Sequence, residues 1–140
     1  MIILDTNVIS ELMLAVPSPS ILHWFSANRG STEFFTTTVT MAEIFYGVEL
    51  LPKGKRRDKL QAEAEAVFNT DLAGHILSFD EQAARAFAEI AAGRRAKVRP
   101  IAELDAQIAA IARIRGAVLA TRNTVDFEGC GVRLINPWQA

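Results

Sequence analysis

Residues 1–10 read MIILDTNVIS, and in them an apolar run ends abruptly in a carboxylate. Ile2, Ile3 and Leu4 are apolar without alternation, which is typical of a strand buried on both faces of a parallel sheet. Asp5 follows that strand directly. A carboxylate at this place either caps the next helix or belongs to a binding site, and the stretch alone does not decide between the two.

The length and composition predict one folded domain over residues 1–140. The chain is long enough to bury roughly two-thirds of the surface that its unfolded form exposes, and half of its residues are hydrophobic. Its formal net charge is -1, so a nucleic-acid partner would have to be bound by local basic patches. Cys130 is the single cysteine, which excludes an internal disulfide and fits a reducing compartment.

The sequence also predicts a soluble cytoplasmic protein whose mature chain begins at Met1. Asp5 interrupts the apolar start and no positive segment precedes it, so no secretory signal is expected. The longest stretch without Asp, Glu, Lys or Arg runs from Leu12 to Asn28, and it contains two prolines, three serines and a histidine. A membrane-spanning helix would not carry these residues together, and no membrane association is expected.

Apolar strand patterns alternate with helical patterns along the rest of the chain. This alternation predicts an α/β fold, a three-layer α/β/α sandwich in which helices cover both faces of a central, mostly parallel five-stranded sheet. The predicted strands lie at residues 2–4, 34–38, 76–79, 117–121 and 132–135. The predicted helices lie at residues 6–13, 18–27, 40–51, 55–70, 80–93 and 102–115, with turns at Pro52-Lys53-Gly54, Gly74, Gly93 and Gly116.

Four acids stand out because open parallel sheets bind ligands outside the carboxyl ends of their strands. Asp5 follows the first strand, Glu43 lies in the helix after the second, and Asp126 follows the fourth. Asp105 lies in the helix that leads into the fourth strand, and its neighbours on that helix are apolar. A carboxylate on an apolar face needs a partner, which could be an arginine or a metal ion.

Ordinary structural roles could explain several of these acids. Thr40 and Glu43 have the spacing of a capping box, and Asp126 could form an Asx turn. Ser78 and Glu81 repeat the capping-box spacing, and we expect Asp80, Glu81 and Glu103 to be surface residues at helix starts.

Taken together, the four acids predict a site for a hard cation. Carboxylates that converge on one pocket raise each other's pKa values unless a cation balances them. Oxygen ligands select Mg²⁺ or Mn²⁺ over zinc or copper. His23 and His75 stand alone without metal-ligand spacing, so they support neither a zinc site nor a histidine-based nuclease. A hard cation held by acids indicates phosphoryl chemistry.

Four blocks of sequence resemble the PIN-domain ribonucleases, and more narrowly the VapC and FitB-like toxins of toxin-antitoxin pairs. The blocks are LDTNVISE, TVTMAEIFYGVELL, DAQIAAIARIRG and LATRNTVDFEGCGVRLINPW, and they occur in the family's order across essentially the whole chain. The resemblance implies a parallel sheet between helices and a Mg²⁺- or Mn²⁺-dependent endoribonuclease. It also implies in-line attack by activated water on an RNA phosphodiester, leaving 5'-phosphate and 3'-hydroxyl ends.

The resemblance assigns the site residue by residue. Asp5 and Asp105 match the family's firmest metal ligands, and Glu43 would complete the cluster directly or through water. Many members have an acid where this chain has Asn123, but others carry T-R-N-x-x-D-F as this chain does. We therefore expect Asp126 to be the fourth carboxylate, with Asn123 as a neutral oxygen ligand or substrate contact. The supporting residues would be Thr6, Asn7 and Thr121.

The resemblance also implies partners: an RNA substrate, a cognate VapB-like antitoxin, a second copy in a homodimer, and operator DNA only through the antitoxin complex. Two basic clusters could bind RNA or the antitoxin, although such clusters are more often plain surface. They are Lys53, Lys55, Arg56, Arg57 and Lys59, and Arg94, Arg95, Lys97 and Arg99. No aromatic-basic pattern indicates base stacking. Apolar residues for antitoxin contacts, or for the core, are Leu12, Leu14, Trp24, Phe25, Phe45, Tyr46 and Leu50.

Three other functions compete with this one. A phosphatase with an aspartyl nucleophile also places an aspartate after its first strand, but it expects D-x-D where this chain has Asp5-Thr6-Asn7. A phosphoacceptor signalling domain would need an acid pair near the first strand and a late lysine, and neither is present. The third is a catalytically weak PIN scaffold that acts by binding, which retention of Asp5, Glu43 and Asp105 disfavours.

Overall fold

The structure, a computed structural model, describes all residues 1–140 and confirms the predicted alternation of strands and helices. None of its helices has the length and apolar character needed to cross a membrane. The strands are β1 (Ile2–Leu4), β2 (Phe34–Thr37), β3 (Ile76–Leu77), β4 (Val118–Ala120) and β5 (Arg133–Ile135). The α-helices are α1 (Thr6–Leu12), α2 (Pro19–Asn28), α3 (Thr38–Glu49), α4 (Lys55–Ala66), α5 (Glu81–Ala96) and α6 (Glu103–Arg115).

The five strands form one sheet in the order β3-β2-β1-β4-β5, and every neighbouring pair is parallel. The chain builds outward from β1 to β2 and β3, and then returns to the other side of β1 for β4 and β5. This reversal makes the carboxyl ends of β1 and β4 the place where such sheets bind ligands. Leu4 pairs with Ala120 across the two strands, so Asp5 and Thr121 leave the sheet side by side.

The two faces of the sheet are covered by separate hydrophobic clusters, which confirms the three-layer prediction. Ile3 and Leu119 belong to a cluster with residues of α5 and α6. Ile2 and Leu4 belong to the opposite cluster, with residues of α1, α2 and α4. The uninterrupted apolar run of β1 therefore reflects a strand that is buried on both faces.

Two predicted helix caps are wrong. Helix α3 begins at Thr38, and the hydroxyl of Thr37 accepts a hydrogen bond of 3.0 Å from the amide of Thr40. Thr40 therefore lies inside the helix, and Glu43 is no partner in a capping box. Helix α5 is capped by Asp80, whose carboxylate accepts from the amide of Ala83 at 2.9 Å, rather than by Ser78. Thr37 lies three residues before the predicted cap Thr40, and Asp80 lies two residues after the predicted cap Ser78. Each accepts from a free amide in the first turn of its helix.

Two helix ends also differ from the prediction. Helix α5 continues through Gly93 to Ala96, because the buried side chain of Arg94 binds backbone oxygens of other segments and stabilises the last turn. Helix α4 ends at Ala66 and passes into a π-helical turn, Val67–Asp71. A short 3₁₀-helix, Thr124–Phe127, follows β4 where a loop was expected.

Candidate active site

A polar cleft of about 420 Å³ opens at the carboxyl ends of β1 and β4. It brings together three of the four predicted acids, Asp5, Glu43 and Asp105. The other lining residues are Thr6, Asn7, Ser10, Glu11, Leu14, Arg122, Asn123 and Trp138. The cleft therefore lies at the sheet edge that the strand order selects.

Asp5 is buried at the bottom of this cleft, with 4% of its surface exposed. Its Oδ1 accepts a hydrogen bond of 2.8 Å from the amide of Thr6, and its Oδ2 accepts one of 2.7 Å from the hydroxyl of Thr121. Desolvation raises the pKa of Asp5, the two hydrogen bonds oppose that rise, and the charges of Glu43 and Asp126 add to it. Asp5 is thus both the N-cap of α1 and an acid of the cleft.

Asn7 and Thr121 hold Asp5 in place. The amide of Asn7 donates to Asp5 Oδ2 and to the hydroxyl of Thr121, both at 3.3 Å. The carbonyl oxygen of the Asn7 side chain accepts from the backbone N–H of Arg122 at 3.2 Å. Thr121, which is fully buried, also accepts from the amide of Asn123 at 3.1 Å. These contacts join the segment after β1 to the segment after β4.

Glu43 faces the cleft from the second turn of α3. The hydroxyl of Thr6 donates to Glu43 Oε1 at 2.8 Å and lies 3.0 Å from the hydroxyl of Thr40. The Glu43 carboxylate is thereby oriented by α1 instead of by the cap of its own helix. A Cβ atom built on Gly47, one turn later, would meet nothing within 4 Å, so close helix packing does not explain the small residue there.

Asp105 lies in the first turn of α6 and forms no ion pair with any arginine or lysine. Desolvation by burial raises its pKa to about 6, and the charges of Asp5, Glu43 and Asp126 contribute to the same rise. Of the two partners expected for this acid, the arginine is therefore absent. Because the charges near Asp105 are negative like its own, a bound cation is the remaining partner that could balance them.

Asn123 and Asp126 occupy different places relative to the cleft. Asn123 lines it, whereas Asp126 is an exposed residue of the 3₁₀-helix and lies outside the lining. The Asp126 carboxylate is still near enough for its charge to raise the pKa of both Asp5 and Asp105. Its backbone carbonyl accepts a hydrogen bond of 2.8 Å from Arg94.

The donor groups of the cleft fit a hard divalent cation. Every acid there offers oxygen, each carboxylate oxygen has two lone pairs, and Asp5 Oδ1 and Glu43 Oε1 each accept only one hydrogen bond. No three acids of the chain lie close enough to bind one ion together. Mg²⁺ suits this spacing, because it commonly takes one or two carboxylates and completes its shell with water and substrate phosphate.

Neither predicted basic cluster reaches the cleft. Arg94 is buried, with 7% of its surface exposed, and its guanidinium binds the backbone oxygens of Arg99, Asp126 and Glu128. Its assignment to an RNA-binding surface is therefore wrong, since a buried side chain that donates to three backbone carbonyl groups does not meet a phosphate. Arg57 forms an ion pair of 2.6 Å with Glu49.

The cleft also contains residues that the sequence did not reveal as part of a site. Glu11 lines it, and its Oε2 accepts from the amide of Ser18 at 2.9 Å. Arg122 lies over the ring of Trp138, with its Cζ 4.8 Å from the ring centroid. No local aromatic-basic pattern predicted this contact, because sixteen positions separate the two residues along the chain and the sheet brings them together. The sequence signal for this contact is that Arg122 and Trp138 each follow a predicted strand by a few residues, in the segments TRN and NPW.

A second cavity, of about 580 Å³, is mainly apolar and lies away from the acids. Leu12 and Phe25 line it, together with Phe34, Val67 and Leu72. The other apolar residues that were predicted to contact an antitoxin or to form the core differ in burial. Trp24 is buried, whereas Leu14, Tyr46 and Leu50 are exposed.

Comparison with known proteins identifies the family of this fold and site. The family model described as PIN domain matches residues 2–128. The chain is 40% identical over 139 residues to the VapC ribonuclease Y4jK of Sinorhizobium fredii, a match that covers 99% of each chain. It is 36% identical over 138 residues to the toxin FitB of Neisseria gonorrhoeae, again with 99% of each chain covered.

A solved structure shows the same architecture. The structure of FitAB bound to an IR36 DNA fragment contains a chain that superposes with a TM-score of 0.89 at 36% identity. The superposition covers 99% of this chain and 96% of that one.

Proposed function

The chain belongs to the PIN-domain family, and we propose that it is a divalent-metal-dependent endoribonuclease, the toxin of a VapBC-like toxin-antitoxin pair, with residues 1–140 as one PIN domain. The observation that carries this proposal is the cleft at the ends of β1 and β4, where Asp5, Glu43 and Asp105 face one another without a basic ion-pair partner. The similarity to a VapC ribonuclease over the whole chain supports the reaction type.

Asp5 and Asp105 would bind Mg²⁺, or Mn²⁺ in its place, and Glu43 would complete the site through a bound water, because no three acids lie close enough to bind one ion together. When bound, the cation lowers the pKa of water and offsets the charge that develops on a scissile phosphate. Asp5 is kept in one rotamer by hydrogen bonds from Thr6 and Thr121. These residues supply the fixed geometry that positioning a phosphodiester for in-line attack requires.

The remaining polar residues orient this set. Thr6 donates to Glu43, and Asn7 donates to Asp5 and Thr121. We propose that Asp126 contributes as the fourth acid and that Asn123 offers a neutral oxygen or a substrate contact. The pKa of Asp105 is raised to about 6 but stays below neutral pH, so at pH 7 most of these carboxyl groups are ionised and available to a cation.

We also propose an antitoxin partner, a homodimer and a cytoplasmic location. The relative FitB is a toxin, and the matching solved structure holds FitAB on DNA. The apolar cavity beside Leu12 and Phe25 offers a surface for an antitoxin segment. DNA would be bound through the antitoxin complex, because the cleft and the apolar cavity are each lined by a single arginine and by no lysine. A cytoplasmic location fits an RNA substrate and the unpaired thiol of Cys130.

The proposal is tested by expressing the chain without an antitoxin and sequencing the 5' ends of cellular RNA. We expect growth arrest and new 5'-phosphate ends at a limited set of sites. Both should disappear with Asp105→Asn, and both should disappear in the wild type when the product of an adjacent small reading frame is expressed with it. Growth arrest without new RNA ends would favour the binding-only scaffold, whereas release of phosphate from monoesters would favour the phosphatase.

A further inference from the structure

Arg122 and Trp138 form the one cationic and aromatic element of the cleft. Arg122 follows β4 and Trp138 follows β5, and both side chains line the cleft beside Asp5 and Asp105. The guanidinium carbon of Arg122 lies 4.8 Å from the centroid of the indole, within the range of a cation-π contact. Arg122 is exposed and Trp138 is half-buried, so the pair is accessible from the solvent side.

The backbone around this pair is held by hydrogen bonds that lead to the acids. The N–H of Arg122 donates to the Asn7 side chain, and Asn7 in turn donates to Asp5. Asn136 donates to the carbonyl of Arg122 at 3.5 Å and accepts from the N–H of Trp138 at 2.9 Å. The pair is therefore kept at a defined distance from Asp5, which is the condition for positioning a substrate relative to the reacting atoms.

The charges of the cleft give Arg122 a distinct role. Four acids line the cleft, and Arg122 is the one basic residue among the lining residues. It forms no ion pair with any of these acids, so the N–H groups of its guanidinium stay available. A guanidinium with free N–H groups binds phosphate, and its flat face stacks on nucleobases as well as on aromatic rings.

We propose that Arg122 and Trp138 form a nucleotide subsite for single-stranded RNA next to the acids. The guanidinium of Arg122 binds the phosphate of the nucleotide next to the scissile bond. The base of the same nucleotide stacks on the pair that Arg122 forms with the Trp138 ring. The inference rests on the proposed ribonuclease function. It adds the requirement that the bound nucleotide be unpaired, because a base inside a duplex does not present its face.

The test compares two RNA oligonucleotides that differ at one position. One is an intact single-stranded RNA with a mapped cleavage site, and the other lacks the base of the nucleotide beside that site. Affinity is measured by fluorescence anisotropy with EDTA at low salt, and kcat/KM is measured with Mg²⁺. The variants are Trp138→Leu, Trp138→Phe and Arg122→Gln, with Arg85→Gln as a matched control because Arg85 is exposed, outside the cleft and in neither basic cluster.

On intact RNA, Trp138→Leu should weaken binding roughly tenfold, and Trp138→Phe should weaken it less because a phenyl ring retains stacking. On the RNA without the base, the wild type should lose the same factor and Trp138→Leu should add little further loss. Arg122→Gln should weaken binding to both RNAs, since the phosphate is present in both. Arg85→Gln should match the wild type.

The inference is overturned if Trp138→Leu binds intact RNA as the wild type does, or if it loses equal affinity for both RNAs. The second result would mean that Trp138 only supports the fold. A wild type that binds RNA but cleaves none with Mg²⁺ or Mn²⁺ would contradict the proposed function, while the comparison of the two RNAs in EDTA would still decide the subsite.

Discussion

The hydroxyl of Thr121 donates a hydrogen bond of 2.7 Å to Oδ2 of Asp5, and both side chains are buried where β1 and β4 end side by side. This contact joins residues 116 positions apart in the sequence. It is one of the two hydrogen bonds that oppose the rise in the pKa of Asp5. The same hydrogen bond therefore joins two strand ends and lowers the pKa of an acid of the cleft.

Replacing Thr121 by valine keeps the shape of the side chain and removes this donor. The pKa of Asp5 should rise further, so the acidic limb of the profile of cleavage rate against pH should move to higher pH. Loss of a buried hydrogen bond to a charged group should also lower the free energy of unfolding by about 2 kcal/mol. Thr121→Ser retains the hydroxyl and should restore the pH profile. An unmoved acidic limb in Thr121→Val would contradict the role assigned to Thr121.

Asp105 should make the cation-free protein less stable as the pH rises. Its pKa is about 6 in the folded protein and 3.8 in the reference state, so the folded protein binds the proton more tightly than the unfolded chain does. The stabilisation from this proton is present at low pH and is lost as the pH rises from about 4 to about 6. Asp5 is shifted in the same direction.

Melting temperatures measured in EDTA across this range would show the effect. Asp105→Asn should flatten the dependence and should melt a few degrees above the wild type at neutral pH, because it removes a repelled charge. Added Mg²⁺ should raise the melting temperature of the wild type more than that of Asp105→Asn. A variant that melts below the wild type at neutral pH in EDTA would mean that the carboxylate stabilises the fold.

Arg94 should contribute to stability and not to RNA binding. Its guanidinium donates to three backbone carbonyl groups and contacts the sulfur of Cys130. Arg94→Met would remove the buried donor of these three hydrogen bonds and should lower the free energy of unfolding by about 2 kcal/mol. Arg95→Met, at an exposed neighbouring position, should change it by less than about 0.5 kcal/mol. Denaturant unfolding of the two variants measures the difference, and similar losses would refute the assignment.

Asp126 and Asn123 should differ in how they affect catalysis. Asp126 lies outside the cleft lining and acts through its charge, so Asp126→Asn should lower cation affinity by roughly tenfold, as changes around a metal's direct ligands do. Asn123→Ala should raise KM for RNA if Asn123 contacts the substrate. Titration of the cleavage rate against Mg²⁺ separates the two effects. A loss with Asp126→Asn as complete as that with Asp105→Asn would show that Asp126 binds the cation directly.

Much of this fold could be predicted from local patterns. The strands are short runs rich in apolar residues, and the acids that follow β1, β2 and β4 predicted the sheet edge on which the site lies. The caps of α3 and α5 were misplaced because Thr37, Thr40, Ser78 and Asp80 are all competent caps, and backbone geometry selects one of each pair. The local sequence pattern alone does not show which of the two residues caps the helix.

The parts of the site that the sequence concealed depend on contacts between distant segments. Arg94 looks like a surface residue by composition, and only the packing of α5 against the segment after β4 buries it. Arg122 meets Trp138 because β4 and β5 are adjacent in the sheet. Thr6 orients Glu43 because α1 and α3 start from neighbouring strands. These contacts depend on which strands are neighbours in the sheet. The alternation of strands and helices along the sequence does not determine that order.

The central claim is that the cleft acids make this protein a metal-dependent ribonuclease. Its most direct test is the rate at which the purified chain cleaves single-stranded RNA with Mg²⁺, compared with EDTA and with Asp5→Asn and Asp105→Asn. The wild type should cleave with Mg²⁺ and stop in EDTA, and each variant should be slower by at least about a hundredfold while its circular dichroism stays native. Cleavage that persists in EDTA, or that survives both substitutions, would contradict the claim.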